Sequence, residues 1–228
     1  MEAIVLAGGL GARLRSVVSD VPKPMAPINK KPFLEYILEF LHRQNIEKVV
    51  LSVGYKWNMI HNYFGEKYKN INIVYNVENE QLGTGGAIKD ALKHIDKDEV
   101  YVLNGDTFFD VNLSKMQLKE KSKIQIALKP MENFDRYGVV EIDVNGYIQS
   151  FKEKAYYKQG LINGGIYLIN KNIFDSFELP HKFSFEEFLE NYFHELQAQG
   201  KIFDGYFIDI GIPTDYEKAQ RELKNYID

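Results

Sequence analysis

The chain has 228 residues, enough to bury a sizeable core in one large α/β domain, and its 45% hydrophobic and 26% charged content is ordinary for a globular protein. A formal charge of -4, from 28 basic against 32 acidic residues, argues against a surface built to wrap nucleic acid, so no nucleic-acid partner is expected. There is no cysteine, which excludes disulfides and thiolate metal sites, and no apolar run long enough to span a membrane; with an N-terminus that enters a strand directly, the expected location is cytoplasmic.

The first element is a short apolar run, Ala3 to Ala7, stopped by Gly8 and Gly9. That pattern suits a buried parallel strand ending in a glycine loop. Gly8, Gly9 and Gly11 let the backbone approach a ligand and aim N–H groups at it, and Arg13, Arg15 and Lys23 add positive charge, so the expected ligand is a polyphosphate. The Walker pattern is excluded because no Gly-Lys-Ser/Thr follows. The dinucleotide fingerprint starting at Gly9 would need glycine or alanine at position 14, where Leu14 stands.

Pro32 opens a helical pattern with Leu34, Ile37, Leu38 and Leu41 on one face; Lys48 to Val53 follows as a β-branched strand, and Trp57, Ile60 and Phe64 mark a short helix. Asn72 to Tyr75 predicts a third strand, Gly83 to Leu92 a helix, and Val100 to Leu103 a fourth strand ending at Asn104-Gly105-Asp106. The alternation predicts a doubly wound, mostly parallel, Rossmann-like sheet with ligands at the carboxyl ends of its strands. After about Lys121 the rhythm changes. Ile124 to Leu128, Val139 to Ile142, Tyr147 to Phe151 and Ile166 to Ile169 read as strands, with Asn145-Gly146 a hairpin turn. Ser184 and Glu187 form a capping box for a helix bearing Phe185, Phe188, Leu189 and Phe193. Phe203 to Ile208 reads as a late strand, and Pro213 starts a closing helix through Tyr226. The expectation is a single domain, 1–228, with a nucleotide-sized half over about 1–120 and a smaller β-rich lobe over about 121–228 laid against it, making one cleft.

Asp106 and Asp209 each follow an apolar strand, and two strand-end aspartates can hold Mg²⁺ shared with phosphates; either alone is an ordinary turn or cap residue. Glu153-Lys154 joins a hydroxyl acceptor to a phosphate-binding cation, although as a bare dipeptide it is also a common solvated pair. The five histidines fall in no ligand spacing, and no serine, histidine and aspartate arrangement suggests a triad.

The string Leu6-Ala7-Gly8-Gly9-Leu10-Gly11-Ala12-Arg13-Leu14, followed by Pro22-Lys23-Pro24, resembles the signature loop of the sugar-1-phosphate nucleotidylyltransferases. The resemblance runs to about Pro213, with the motifs in the expected order. It implies that Leu6, Ala7, Gly8, Gly9, Gly11, Glu78, Gly83 and Thr84 bind the nucleotide, with Arg13 on the departing pyrophosphate and Lys23 at the α-phosphate. It further implies Mg²⁺ on Asp106 and Asp209, and contacts from Gly138, Glu153, Lys154 and Asn163 to the sugar phosphate. Relatives usually carry threonine where Ile212 stands, a departure beside the second metal ligand.

Glu78 lies five residues before Gly83, where such enzymes place a residue against the base edge. A carboxylate only accepts, and guanine presents two adjacent donors, N1–H and N2, so GTP is favoured; a solvent-facing residue in an acidic stretch is the other reading. Together with Leu82-Gly83-Thr84-Gly85-Gly86, this form most resembles members that make GDP-activated sugars of manno configuration, heptoses included. The implied partners are GTP and a sugar 1-phosphate, in a monomer or a homodimer. Uridylyl or thymidylyl transfer, a glycosyltransferase and a nucleotide-sugar sensor without turnover are the rivals. The glycosyltransferase lacks its Asp-x-Asp motif, since Phe108 follows Thr107.

Overall fold

A computed structural model of the chain describes residues 1–9 and 21–226. The first half runs β1 Glu2–Leu6, the small hairpin strands β2 Pro27–Ile28 and β3 Lys31–Pro32, α1 Phe33–Arg43, β4 Lys48–Val53, α2 Trp57–Phe64, β5 Lys67–Tyr68, β6 Ile71–Val77, α3 Gly83–Ala91 and β7 Glu99–Asn104. The second adds β8 Thr107–Phe109, β9 Ile124–Phe134, β10 Val140–Ile142, β11 Ile148–Phe151, β12 Tyr157–Asn170, α4 Phe185–Tyr192, β13 Gln199–Ile202, β14 Phe207–Asp209 and α5 Pro213–Glu222.

One eight-stranded sheet runs through both halves in the order β13-β9-β12-β7-β1-β4-β6-β5. β7, β1, β4 and β6 are parallel neighbours, whereas β12 runs antiparallel between β7 and β9. Successive side chains of a strand point to opposite faces. Accordingly Ala3 and Val5 pack with Leu34, Ile37 and Leu41 of α1, while Ile4 packs with Ile88 of α3 and Phe185 and Phe188 of α4. Helices on both faces leave the central strands mostly apolar, as their sequences are.

The expected lobe is therefore continuous with the main sheet: β9, β12 and β13 extend it, and the β10–β11, β8–β14 and β2–β3 pairs stand outside it. The strand expected over Phe203 to Ile208 forms only from Phe207, as β14, while a separate strand, β13, ends just before the span at Ile202. β13 pairs with β9 and β14 with β8, and the chain turns between them at Asp204-Gly205. The closing helix ends at Glu222 and continues as a 3-10 turn to Tyr226. Among the described residues no helix is long and apolar enough to cross a membrane.

Register sets the site. Leu6 lies opposite both Ser52 and Asn104, and Ser52 lies opposite Asn76. The carboxyl ends of β1, β4, β6 and β7 thus finish level, and the chain leaves them at Ala7-Gly8, Gly54, Glu78 and Gly105-Asp106 on one rim of the sheet, where open α/β sheets bind ligands.

Candidate active site

Gly105 is where close packing demands glycine: its N–H donates to the Leu6 carbonyl at 2.9 Å, and a Cβ there would sit 2.3 Å from that oxygen. The tight crossing sends Asp106 out over the rim. β8 then pairs antiparallel with β14, Thr107 opposite Asp209, so aspartates far apart in sequence become neighbours. Lys23, in a 3-10 turn after Pro22, reaches between them, with Nζ 2.5 Å from Asp106 Oδ2 and 4.0 Å from Asp209 Oδ1.

Asp209 is held from three more sides. Its Oδ1 accepts the Gly211 N–H at 2.7 Å, Tyr137 OH lies 3.5 Å from Oδ2, and Arg136 Nη2 lies 3.5 Å from Oδ2 while its other end pairs with Asp215 in the first turn of α5. Burial and the nearby Asp106 charge push the Asp209 carboxyl above its ordinary value, against the pull of Lys23 and the Gly211 amide. A buried carboxylate facing a second negative charge favours a cation between the two. Among the described residues no group of three or more His, Cys, Asp or Glu could hold a metal, so an ion here would need oxygen ligands from elsewhere, as Mg²⁺ shared with phosphates has.

Two cavities meet at Asp106. The smaller, about 380 Å³, is lined by Leu6, Gly8, Gly9, Lys23, Glu78 and the α3 N-terminus at Gly83 and Thr84. The larger, about 700 Å³, is lined by Gly138, Glu153, Lys154, Asn163, Tyr137 and Asp209 among others. Asn104, Asp106 and Glu186 line both.

Glu78 follows β6 and is half-buried. Its Oε1 accepts from Ser52 Oγ at 3.0 Å and its Oε2 from the Leu82 N–H at 3.4 Å. Burial raises its carboxyl above the ordinary glutamate value, with the Ser52 and Leu82 hydrogen bonds opposing. Gly83 holds φ +73°, and a Cβ there would sit 2.4 Å from the Phe183 carbonyl, because the segment before α4 lies directly on the start of α3.

Most expected site residues converge. Leu6, Gly8, Gly9, Lys23, Glu78, Gly83, Thr84 and Asp106 line the first cavity, and Gly138, Glu153, Lys154, Asn163 and Asp209 the second. Gly11 and Arg13 lie outside the described residues. Ala7 is buried and lines neither cavity; its N–H donates to the Ser52 carbonyl at 2.7 Å. The Thr84 hydroxyl is committed within the protein, donating to Glu186 Oε2 at 2.7 Å and accepting the Phe185 N–H at 2.8 Å. Arg136, Asp215, Glu186 and Ser52 were not singled out by sequence reasoning. None belongs to a spacing motif, and only the fold brings them to the rim.

A parallel sheet with a glycine exit, a lysine-bridged aspartate pair and two confluent cavities is the architecture of an enzyme that joins a nucleotide to a second phosphorylated substrate. The Nucleotidyl transferase family model matches residues 2–226, and the chain belongs to that family. It is 58% identical over 216 residues to the D-glycero-alpha-D-manno-heptose 1-phosphate guanylyltransferase of Campylobacter jejuni, covering 95% of this chain and 97% of that protein. It is 54% identical over 231 residues to the enzyme of the same name from Aneurinibacillus thermoaerophilus, covering 100% of both. Among solved structures, HddC from Yersinia pseudotuberculosis complexed with GMP-PN superposes with a TM-score of 0.85 at 37% identity, covering 98% of this chain and 99% of that one.

Proposed function

We propose that the chain transfers GMP from GTP to a sugar 1-phosphate of manno configuration, a heptose first among candidates, releasing pyrophosphate. The observation that carries the base assignment is Glu78: a half-buried carboxylate lining the smaller cavity, with one partner on each oxygen and acceptor capacity left on both. The guanylyltransferase names of the relatives and the GMP-PN complex of the neighbour support the same choice.

The nucleotide occupies the smaller cavity, with its phosphates toward Gly8, Gly9 and Lys23, and the sugar phosphate occupies the larger, beside Glu153 and Lys154. A phosphate oxygen of the sugar 1-phosphate attacks the α-phosphorus in line; the bond to the bridging oxygen breaks and pyrophosphate leaves with that electron pair. No protein atom bonds to phosphorus, so catalysis is positioning and charge neutralisation. Lys154 orients the attacking phosphate, Glu153 accepts from sugar hydroxyls, and Gly138 and Asn163 shape the ring site. Lys23 neutralises charge growing at the α-phosphate, and Arg13 holds the pyrophosphate. Asp106 and Asp209 would hold Mg²⁺, which would supply Lewis-acid charge stabilisation.

The test is pyrophosphate release from purified protein with Mg²⁺ and every pairing of GTP, UTP, dTTP and CTP with heptose, mannose and glucose 1-phosphates. Release restricted to GTP with a manno-configured sugar is the expected result. No release from any pair would leave a binding protein, and release with UTP or dTTP alone would overturn the base assignment.

A further inference from the structure

Ser52 occupies the penultimate position of β4 with none of its surface exposed, in a strand whose other buried residues are valines and leucine. A hydroxyl there carries a desolvation cost unless it is hydrogen-bonded. Its Oγ donates to Glu78 Oε1 at 3.0 Å, while its backbone carbonyl receives the Ala7 N–H at the exit of β1. We infer that Ser52 is the positioning residue for base recognition: it orients Glu78 so that the acceptor directions left on the carboxylate meet the two adjacent donors of guanine, N1–H and N2. The inference rests on the reading of Glu78 as the guanine-facing group.

The count of acceptor sites supports it. An ionised carboxylate offers about four lone-pair directions across its two oxygens. Ser52 takes one on Oε1 and the Leu82 N–H one on Oε2, which leaves one on each oxygen for a two-donor edge. Gly8 opens a slot for the carboxylate, since a Cβ there would lie 3.0 Å from Oε1. Ser52 is the side chain that fixes the rotation of the carboxylate within that slot. Without it, Oε1 regains a free direction inside the protein, and the plane that matches the guanine edge is no longer specified.

The experiment compares Ser52→Ala, Ser52→Thr and Glu78→Gln with the unaltered full-length chain, measuring kcat and KM for GTP, ITP and UTP. ITP lacks the N2 amino group and so reports one of the two base contacts. In Ser52→Ala the KM for GTP is expected to rise roughly tenfold, the scale of one lost hydrogen bond to a charged group, with kcat little changed. The GTP-to-ITP preference should shrink, and Ser52→Thr, which keeps the hydroxyl, should restore much of it. Should Ser52→Ala fail to fold, Ser52→Cys, similar in size and a weak donor, carries the same expectation. If Ser52→Ala lowers kcat/KM equally for all three nucleotides, the hydroxyl is only structural and the inference falls. If Glu78→Gln leaves the GTP-to-UTP ratio unmoved, the underlying base assignment falls instead; a ratio that moves in Glu78→Gln but not in Ser52→Ala overturns the Ser52 role alone.

Discussion

Lys23 bridges two aspartates by standing between them, and that position predicts its kinetic signature. Its ammonium lies 2.5 Å from Asp106 and lines the smaller cavity, which suits the proposed neutralisation of phosphate charge during transfer. Lys23→Ala is expected to lower kcat by roughly a hundredfold to a thousandfold, the typical cost of one electrostatic contact to a transition state, with a smaller change in the KM for GTP. An unchanged kcat would remove Lys23 from the mechanism. Glu78 makes a pH prediction. Burial holds its carboxyl above the ordinary glutamate value, so as pH falls it takes up a proton before an exposed glutamate would and loses an acceptor direction proposed to meet the base. The KM for GTP should therefore rise on acidification while pH is still above the ordinary glutamate range. UTP, which shares the phosphate and metal sites, serves as the internal control. A GTP-to-UTP ratio flat across that window would contradict the role of Glu78.

At the scale of elements, the β8–β14 pair does for the two aspartates what the rim of the parallel sheet does for the residues of the smaller cavity. Neither strand is long, with three residues each, yet their register alone places Asp209 opposite Thr107 and next to Asp106. α5 continues from β14 with Ile212 at its N-cap and no side-chain cap hydrogen bond. Threonine there would accept from an early N–H of the helix, so Ile212→Thr should raise stability by about 1 kcal/mol, or roughly 2–4 °C in Tm, without loss of activity. A lower Tm would show that Ile212 packing outweighs the missing cap. The elements also divide by how plainly the sequence announces them. β1, β4 and β7 are mostly apolar on both faces and read directly, and β6 reads from the β-branched residues between its asparagines. The distal parts of β9 and β12 are exposed at Glu132 and Gln159, so their polar sequences hide strands of 11 and 14 residues. The break between β13 and β14 carried an audible signal in Asp204-Gly205, a turn dipeptide outweighed by the apolar residues around it. Arg136, Asp215 and Glu186 had no comparable signal, because neither a salt bridge between a loop and the first turn of a helix nor the Thr84–Glu186 hydrogen bond across about a hundred residues leaves a spacing in the chain.

Taken as a whole, the molecule builds its two cavities from segments that depend on one another. The α5 residues Tyr216 and Gln220 both donate to the Pro27 carbonyl at 2.6 Å, so the end of the chain steadies the segment just after Lys23. The strap before α4 lies on the start of α3, with the Phe183 carbonyl accepting the Gly85 N–H at 3.0 Å. A nucleotide bound at the rim therefore touches several elements that must all be folded, and its binding should stabilise the whole molecule. At a hundredfold excess over Kd the gain is about 2.7 kcal/mol, which for a chain of this size corresponds to roughly 5–11 °C in Tm. GTP with Mg²⁺ should give a shift of that order and UTP with Mg²⁺ a smaller one at equal concentration. Replacing Asp106 and Asp209 together by asparagine keeps the shapes and removes the charges, so the double variant should lose the part of the GTP shift that depends on Mg²⁺ and keep the part seen in its absence. Thermal melts with and without Mg²⁺ separate the two contributions independently of turnover. A double variant whose GTP shift still responds fully to Mg²⁺ would show that these carboxylates do not hold the ion, and equal shifts for GTP and UTP would show that the rim does not distinguish the base.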